Sequence, residues 1–358
     1  MKTIKQWLLM TAVTALVALG GGVAQSQAQT KPEFKVVWSH YTGWEPWAYA
    51  ESSGILARNA ARYGVNLKLE LINDYNESIN RYVTDKRVAA VTITEMDALI
   101  GPCVGGVDTT VVVVGDYSNG NDGIVAKNAA NVTDLVGREI MLVENSVSHY
   151  LLYRALGLQN PTIPISKVKT RNVSDADLAA LFTAATGKAA CVTWNPPLMT
   201  ARQVKGVKEV FDSSQIPGEI LDLLVVRTDA PEGVKQALAA TWYEVMAIMY
   251  GSGAKTEEAL NFMAKSAGGT RAEFDSQLKT TFMYHDPARA VEFTRDARLR
   301  QTLDYVRGFC FERGLYNGAG SKDFVGIQFP DQTVLGSNRN IKLRFETKYM
   351  EAAMERKP

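Results

Sequence analysis

Cysteine and histidine are scarce in this 358-residue chain, three of each, and their placement excludes more than their number does. Cys103, Cys191 and Cys310 are dispersed, odd in number and never in a Cys-x-x-Cys pair, which argues against a disulfide framework or a zinc knuckle. Buried thiols are the plainer reading, with one bridge left open in an oxidising compartment. His40, His149 and His285 never stand at ligand spacing from one another or from a cysteine. Nucleophile elbows, Walker loops and dinucleotide glycine fingerprints are also missing. Catalysis would fall to carboxylates alone or to His149 near Glu144, so the chain reads as a non-enzyme without metal or cofactor. Charge of either sign is not in excess: Lys and Arg number 39, Asp and Glu 38, which leaves no basic surplus for a nucleic-acid partner. After the first twenty residues no apolar run approaches the roughly twenty needed to span a membrane.

The N-terminus has what the rest lacks. Lys2 and Lys5 precede the apolar run 7–19, and the small-residue site Ser26-Gln27-Ala28 follows. This is the tripartite pattern of a secretory leader, with cleavage expected before Gln29. Removing it takes away two lysines and no acid, so the mature charge is about −1. No cysteine near the cleavage site offers a lipid anchor, and a freely diffusing periplasmic protein is expected.

About 330 mature residues exceed what one core usually serves, so two lobes are expected. β-Branched runs at 34–38, 88–92, 111–114, 139–143, 168–172, 189–193 and 221–226 read as strands. Helical spacing fills 47–63, 78–86, 147–156, 176–185 and 196–204 between them, and from 231 onward long amphipathic helices are expected at 231–250, 256–267, 271–281 and 288–313. The alternation predicts an α/β fold of mainly parallel sheets, two-lobed and type II-like, with a cleft between the lobes. Crossings are expected at 116–123 and 213–222, which makes 1–28 the leader, 29–120 the first part of lobe 1, 121–217 lobe 2 and 218–317 the return to lobe 1. The stretch 318–358, rich in Gly, Asn and charge, is expected as a mobile tail with a strand at 341–345.

In such folds ligands sit beyond the carboxyl ends of strands. The loops there hold Glu45, Glu95, Asp97, Asp116, Asp122 and Glu144 beside Tyr41, Trp44, Trp47, Tyr117 and Trp194, with no Lys or Arg. Nitrate, sulfonate or phosphate would want positive charge or a glycine-rich helix start. Carboxylates in the plane of a flat cation and an aromatic face above it suit guanidinium, with Trp44, Glu45 and Glu95 the nearest set. Urea would need an added donor, for which Ser146, Ser148, His149 or Asn195 would serve. Simpler roles compete. Glu95 can cap the helix that follows it, the serines can cap the helix they open, Asp122 can be turn chemistry, and one of Trp44 and Trp47 belongs to the core, Trp47 by its alignment with the following helix. The candidate ligand set is Tyr41, Trp44, Glu45, Glu95, Asp122, Ser146, His149, Trp194 and Asn195.

Three segments carry a resemblance: Gly43-Trp44-Glu45-Pro46 after its strand, Val91-Thr92-Ile93-Thr94-Glu95-Met96-Asp97-Ala98-Leu99, and Ala190-Cys191-Val192-Thr193-Trp194-Asn195-Pro196. Together they resemble periplasmic substrate-binding proteins of the nitrate/sulfonate/taurine class of ABC importers, closest to the branch associated with urea carboxylase regions, which includes urea and guanidine importers. The likeness spans about residues 34–316. It implies the two-lobed fold, a monomer that opens and closes, and delivery of a captured solute to a membrane permease with a cytoplasmic ATPase. The acids depart from what an anion binder needs, so the expected ligand is guanidinium, with urea or a short amide next. A thiamine-precursor pyrimidine binder and an enzyme built on the same fold are the rival readings.

Overall fold

The computed structural model describes residues 32–355, so the expected leader at 1–28 lies outside the described residues. The chain first lays down β1 (Glu33–Trp38), β2 (Asn66–Leu71), β3 (Val88–Thr94) and β4 (Thr109–Ser118). Then β5 (Asp122–Lys127), β6 (Glu139–Leu142), β7 (Lys169–Asn172), β8 (Ala190–Trp194) and β9 (Val207–Asp212) build a separate five-stranded sheet in the order β7-β6-β8-β5-β9. The return supplies β10 (Leu221–Arg227), β11 (Thr281–Met283), β12 (Gly326–Gln328), β13 (Val334–Leu335) and β14 (Ile341–Phe345). They complete a sheet ordered β13-β12-β14-β4-β10-β3-β1-β2, with β11 on β4. The result is the two-lobed α/β architecture read from the sequence.

Strands joined through helices pair in parallel, as in β1 with β2 and β3, or β6 with β7 and β8. Antiparallel ladders occur where the chain crosses between sheets: β10 lies antiparallel between β3 and β4, and β5 between β8 and β9. The two crossings are stitched together. Ser118 N–H donates to the Ile220 carbonyl at 3.0 Å, and the Ser118 and Ser213 hydroxyls hydrogen-bond at 2.7 Å.

Several expectations are corrected in detail. The helix expected over 47–63 is two, Pro46–Ser52 and Ile55–Arg62, because Gly54 adopts φ 72°, which glycine alone enters freely. The helix expected over 288–313 also divides, into Pro287–Arg295 and Ala297–Glu312, with the Asp296 carboxylate accepting from Arg298 N–H as the new cap. Strands β2, β5, β9, β11, β12 and β13 are not among those expected, although Asn66–Leu71 has the period-2 alternation of a half-buried strand. The segment after Gly318 is not a mobile tail: β14 pairs with β4, and Ile327, Leu343, Phe345, Tyr349 and Met350 are buried. Gly, Asn and charge mark its turns, while Ile327, Leu343, Phe345, Tyr349 and Met350 face the core and Phe324 and Met354 stay exposed. Cys103, Cys191 and Cys310 are buried, unpaired thiols. Among the described residues no helix is long and apolar enough to cross a membrane.

Candidate functional site

A small cavity lies where the ends of the two sheets face each other. Tyr41 and Trp44 reach it from the loop after β1, Tyr75 from the start of the helix Tyr75–Thr84, Thr94 from the end of β3, Ile220 from just before β10, and Asp222 from β10. The five-stranded side adds Asp122 at the start of β5, Val147 at the start of the helix Val147–Gly157, and Trp194 at the end of β8. Thr94 and Trp194 are the last residues of parallel strands, where the chain leaves the sheet and a side chain can face the gap, and Asp122 and Asp222 reach the same gap from the first residues of antiparallel strands.

Four rings enclose the space. Tyr41 meets Trp44 edge-on at 5.1 Å between ring centroids, Trp44 lies tilted on Tyr75 at 5.6 Å, and Tyr75 meets Trp194 edge-on at 5.7 Å across the two sheets. Such a box turns aromatic rings toward the space, and their electron-rich π faces attract a cation. The cavity volume is about 20 Å³ by the measure in which one water needs about 10–15 Å³, so the occupant is small.

The electrostatics run one way. Glu45, Glu95, Asp97, Asp116, Asp122 and Asp222 are all at most 3 % exposed, and no Lys or Arg lines the cavity. Burial raises the Asp122 carboxyl to about 7 and Asp97 to about 6, because a dry setting disfavours the charged form. Burial likewise lifts Glu95, Asp116 and Asp222, and the charge of Asp116 adds to the rise at Asp222. Asp97 is partly compensated, accepting from Tyr75 Oη at 2.8 Å and Thr94 Oγ1 at 2.7 Å. Unpaired atoms remain among the described residues: Asp122 Oδ1, Asp116 Oδ2, Glu95 Oε1 and Glu45 Oε2 as acceptors, and Trp44 Nε1 as a donor. Orphaned buried acceptors cost free energy until something donates to them.

Of the nine residues singled out in the sequence, Tyr41, Trp44, Asp122 and Trp194 line the cavity. Glu45 does not: it begins the helix Pro46–Ser52 and binds His40 Nδ1 at 2.6 Å, a contact that raises the imidazole pKa. Glu95 stands behind the lining and accepts from Leu221 N–H at 2.7 Å. Ser146 caps its helix, accepting from Ser148 N–H at 3.2 Å. His149 is buried edge-on to Phe309, and burial lowers its pKa to about 4. Asn195 pairs with Asn121, through its own N–H at 3.0 Å and through its side-chain amide. Trp47 packs on Trp242 in the core, as its alignment predicted.

Sequence reasoning missed Tyr75, Thr94, Val147, Ile220 and Asp222 as lining residues. Thr94 and Val147 lay beside residues already named, but Tyr75 follows β2, the strand left unread. Asp222 is contiguous with an apolar run and enters the site only because β10 inserts between β3 and β4.

No family model matches this chain, and no curated protein matches its sequence. Solved structures do match in shape. The alkanesulfonate-binding protein SsuA from Xanthomonas axonopodis pv. citri bound to MOPS is 12 % identical, covering 80 % of this chain and 94 % of that one, with a TM-score of 0.66. The periplasmic aliphatic sulphonate binding protein SsuA from Escherichia coli is 16 % identical over the same shares, with a TM-score of 0.64. The fold is that of the periplasmic binding proteins. An enzyme shares it as well: the desulfurization enzyme DSZB is 13 % identical, covering 81 % of this chain and 95 % of that one, with a TM-score of 0.51.

Proposed function

We propose that this protein is the periplasmic solute-binding component of an ABC importer, that it captures guanidinium, and that it hands the cation to a membrane permease. The observation that carries the reading is the pair of buried carboxyls, Asp122 and Asp222, set into a box of four aromatic rings with no basic residue on the lining. Guanidinium donates in its plane and stacks through its faces, so carboxylates from opposite lobes and rings above and below satisfy it together. Bringing a cation between carboxylates also relieves their mutual repulsion, a gain that no neutral ligand shares. A sulfonate or nitrate would meet acceptors where it needs donors. A pyrimidine needs more room than guanidinium, and the enclosed space is small. The buried, unpaired indole N–H of Trp44 favours a second reading, urea, whose carbonyl would accept from it.

Isothermal titration of the leader-free protein with guanidinium chloride, urea, nitrate and taurine decides between these. Tight guanidinium binding that weakens by about 2 kcal/mol or more in Asp122→Asn, and less in Glu45→Gln, is the expected result. Heat from urea alone moves the ligand to a neutral amide, and heat from nitrate or taurine alone overturns the site.

A further inference from the structure

Asp116 and Asp222 are register partners in the antiparallel β4–β10 ladder. Directly opposed residues in such a ladder project from the same face of the sheet, so the two carboxyls lie side by side. They are 0 % and 3 % exposed. Two carboxylates that close in a dry setting cannot both stay ionised, and one proton between them turns repulsion into a hydrogen bond. Among the described residues no Lys, Arg or His forms an ion pair with either carboxyl. Tyr41 donates its phenol to Asp116 Oδ1 at 3.0 Å, no N–H or hydroxyl among the described residues donates to Oδ2, and the Asp222 carboxyl is the side-chain hydrogen-bonding neighbour of the Asp116 carboxyl. Asp122 and, more remotely, Glu95 add negative charge, and Tyr250 and Tyr284 approach only with neutral phenols. The Arg202 guanidinium, which acts on Asp122, is held by Glu209. Asp222 also lines the aromatic cavity, whose other lining residues include Trp44, with an unpaired Nε1–H, and Asp122, with an unpaired Oδ1.

We infer that the Asp116–Asp222 pair holds one shared proton while the cavity is empty and yields it to solvent when a cation enters, so that ligand capture and proton release are one event. This rests on the cation reading above and adds how charge is balanced. Before binding, two carboxyls and one proton carry a net charge of about −1. Afterwards two carboxylates face one guanidinium, the sum is unchanged, and the proton has passed to the buffer. A neutral ligand leaves the proton in place. Both strands of the pair lead directly into the crossings between the sheets, so the exchange occurs where the lobes are joined.

The test is titration calorimetry of the leader-free protein with guanidinium chloride in two buffers of different ionisation enthalpy, from pH 5.5 to 8, on wild type and Asp116→Asn. The expected result is at least one proton released per cation bound below about pH 7, affinity weakening at least about tenfold for each pH unit on the acid side, and about one proton fewer released in the variant, the remainder coming from Asp122. Guanidinium binding without proton release at any of these pH values overturns the inference and leaves the proposed function standing. Release that persists undiminished in Asp116→Asn overturns the assignment to this pair. No guanidinium binding at all overturns the cation reading, and the exchange with it. If Asp116→Asn does not fold, Asp122→Asn, which lacks the other titratable carboxyl of the cavity, takes its place: release that persists there supports the pair, and release that vanishes there overturns it.

Discussion

At the scale of single residues, the cavity keeps buried carboxyls at the expense of stability. The Asp122 carboxyl is raised to about 7 by burial, so the folded chain holds that proton more tightly than the unfolded chain does. The sign follows from linkage: this group's contribution to stability declines as pH rises from about 4 to about 7 and is level above. Asp122→Asn removes the charge and keeps the shape, so the unliganded variant is expected to be more stable than wild type by about 0.5–2 kcal/mol at pH 7.5. The advantage should shrink toward pH 5, where the wild-type carboxyl is protonated, and calorimetric melting of both proteins across that range checks it. Gly43 has the opposite character. A Cβ there would stand 2.3 Å from Asp116 Oδ2 and 2.6 Å from the Tyr41 ring. Gly43→Ala is therefore expected to lower stability by about 1–3 kcal/mol and to weaken ligand binding, measured by thermal melting and titration.

Among elements, the C-terminal segment shows why composition misleads. Residues 318–340 contain the glycines and asparagines of turns, yet β12 and β14 extend the larger sheet beyond β4 with Ile327, Leu343 and Phe345 facing its core. Burying each such side chain contributes about 1.5–3 kcal/mol. A chain ending at residue 317 should accordingly melt at least about 10 °C lower or fail to accumulate as folded protein, which expression and calorimetry would show. The divided helices teach a related point. Helical spacing runs through residues 288–313 without interruption, and only the Asp296 carboxylate, capping the second helix, marks the break. Amphipathic period identifies a face but not a bend.

Over the whole molecule, the ring contact between Tyr75 and Trp194 and the shared lining of the cavity make the ligand a bridge between the sheets. A bridging ligand favours the closed arrangement by the difference in its affinity for the closed and open forms. Guanidinium is thus expected to change the tryptophan fluorescence and to lower the radius of gyration seen by small-angle scattering. Trp194→Phe should remove most of the fluorescence change while leaving the scattering change.

The sequence by itself determined the two-lobed α/β class, because alternating β-branched runs and helical periods follow directly from local burial. It also determined the sign of the site, since the loops after the strands hold acids and aromatic rings and no base. Four of the nine named residues reach the cavity, because a loop next to a strand end is legible from the pattern. What only the tertiary structure decided is which acids meet. Glu45 and Glu95 look equivalent to Asp122 and Asp222 on paper, yet His40 and the Leu221 amide hold the first two behind the lining. Asp116 and Asp222 are 106 positions apart and become neighbours through one antiparallel ladder whose register no local signal encodes. Strand order is set by the packing of the whole chain, and the chemistry of this site depends on that order.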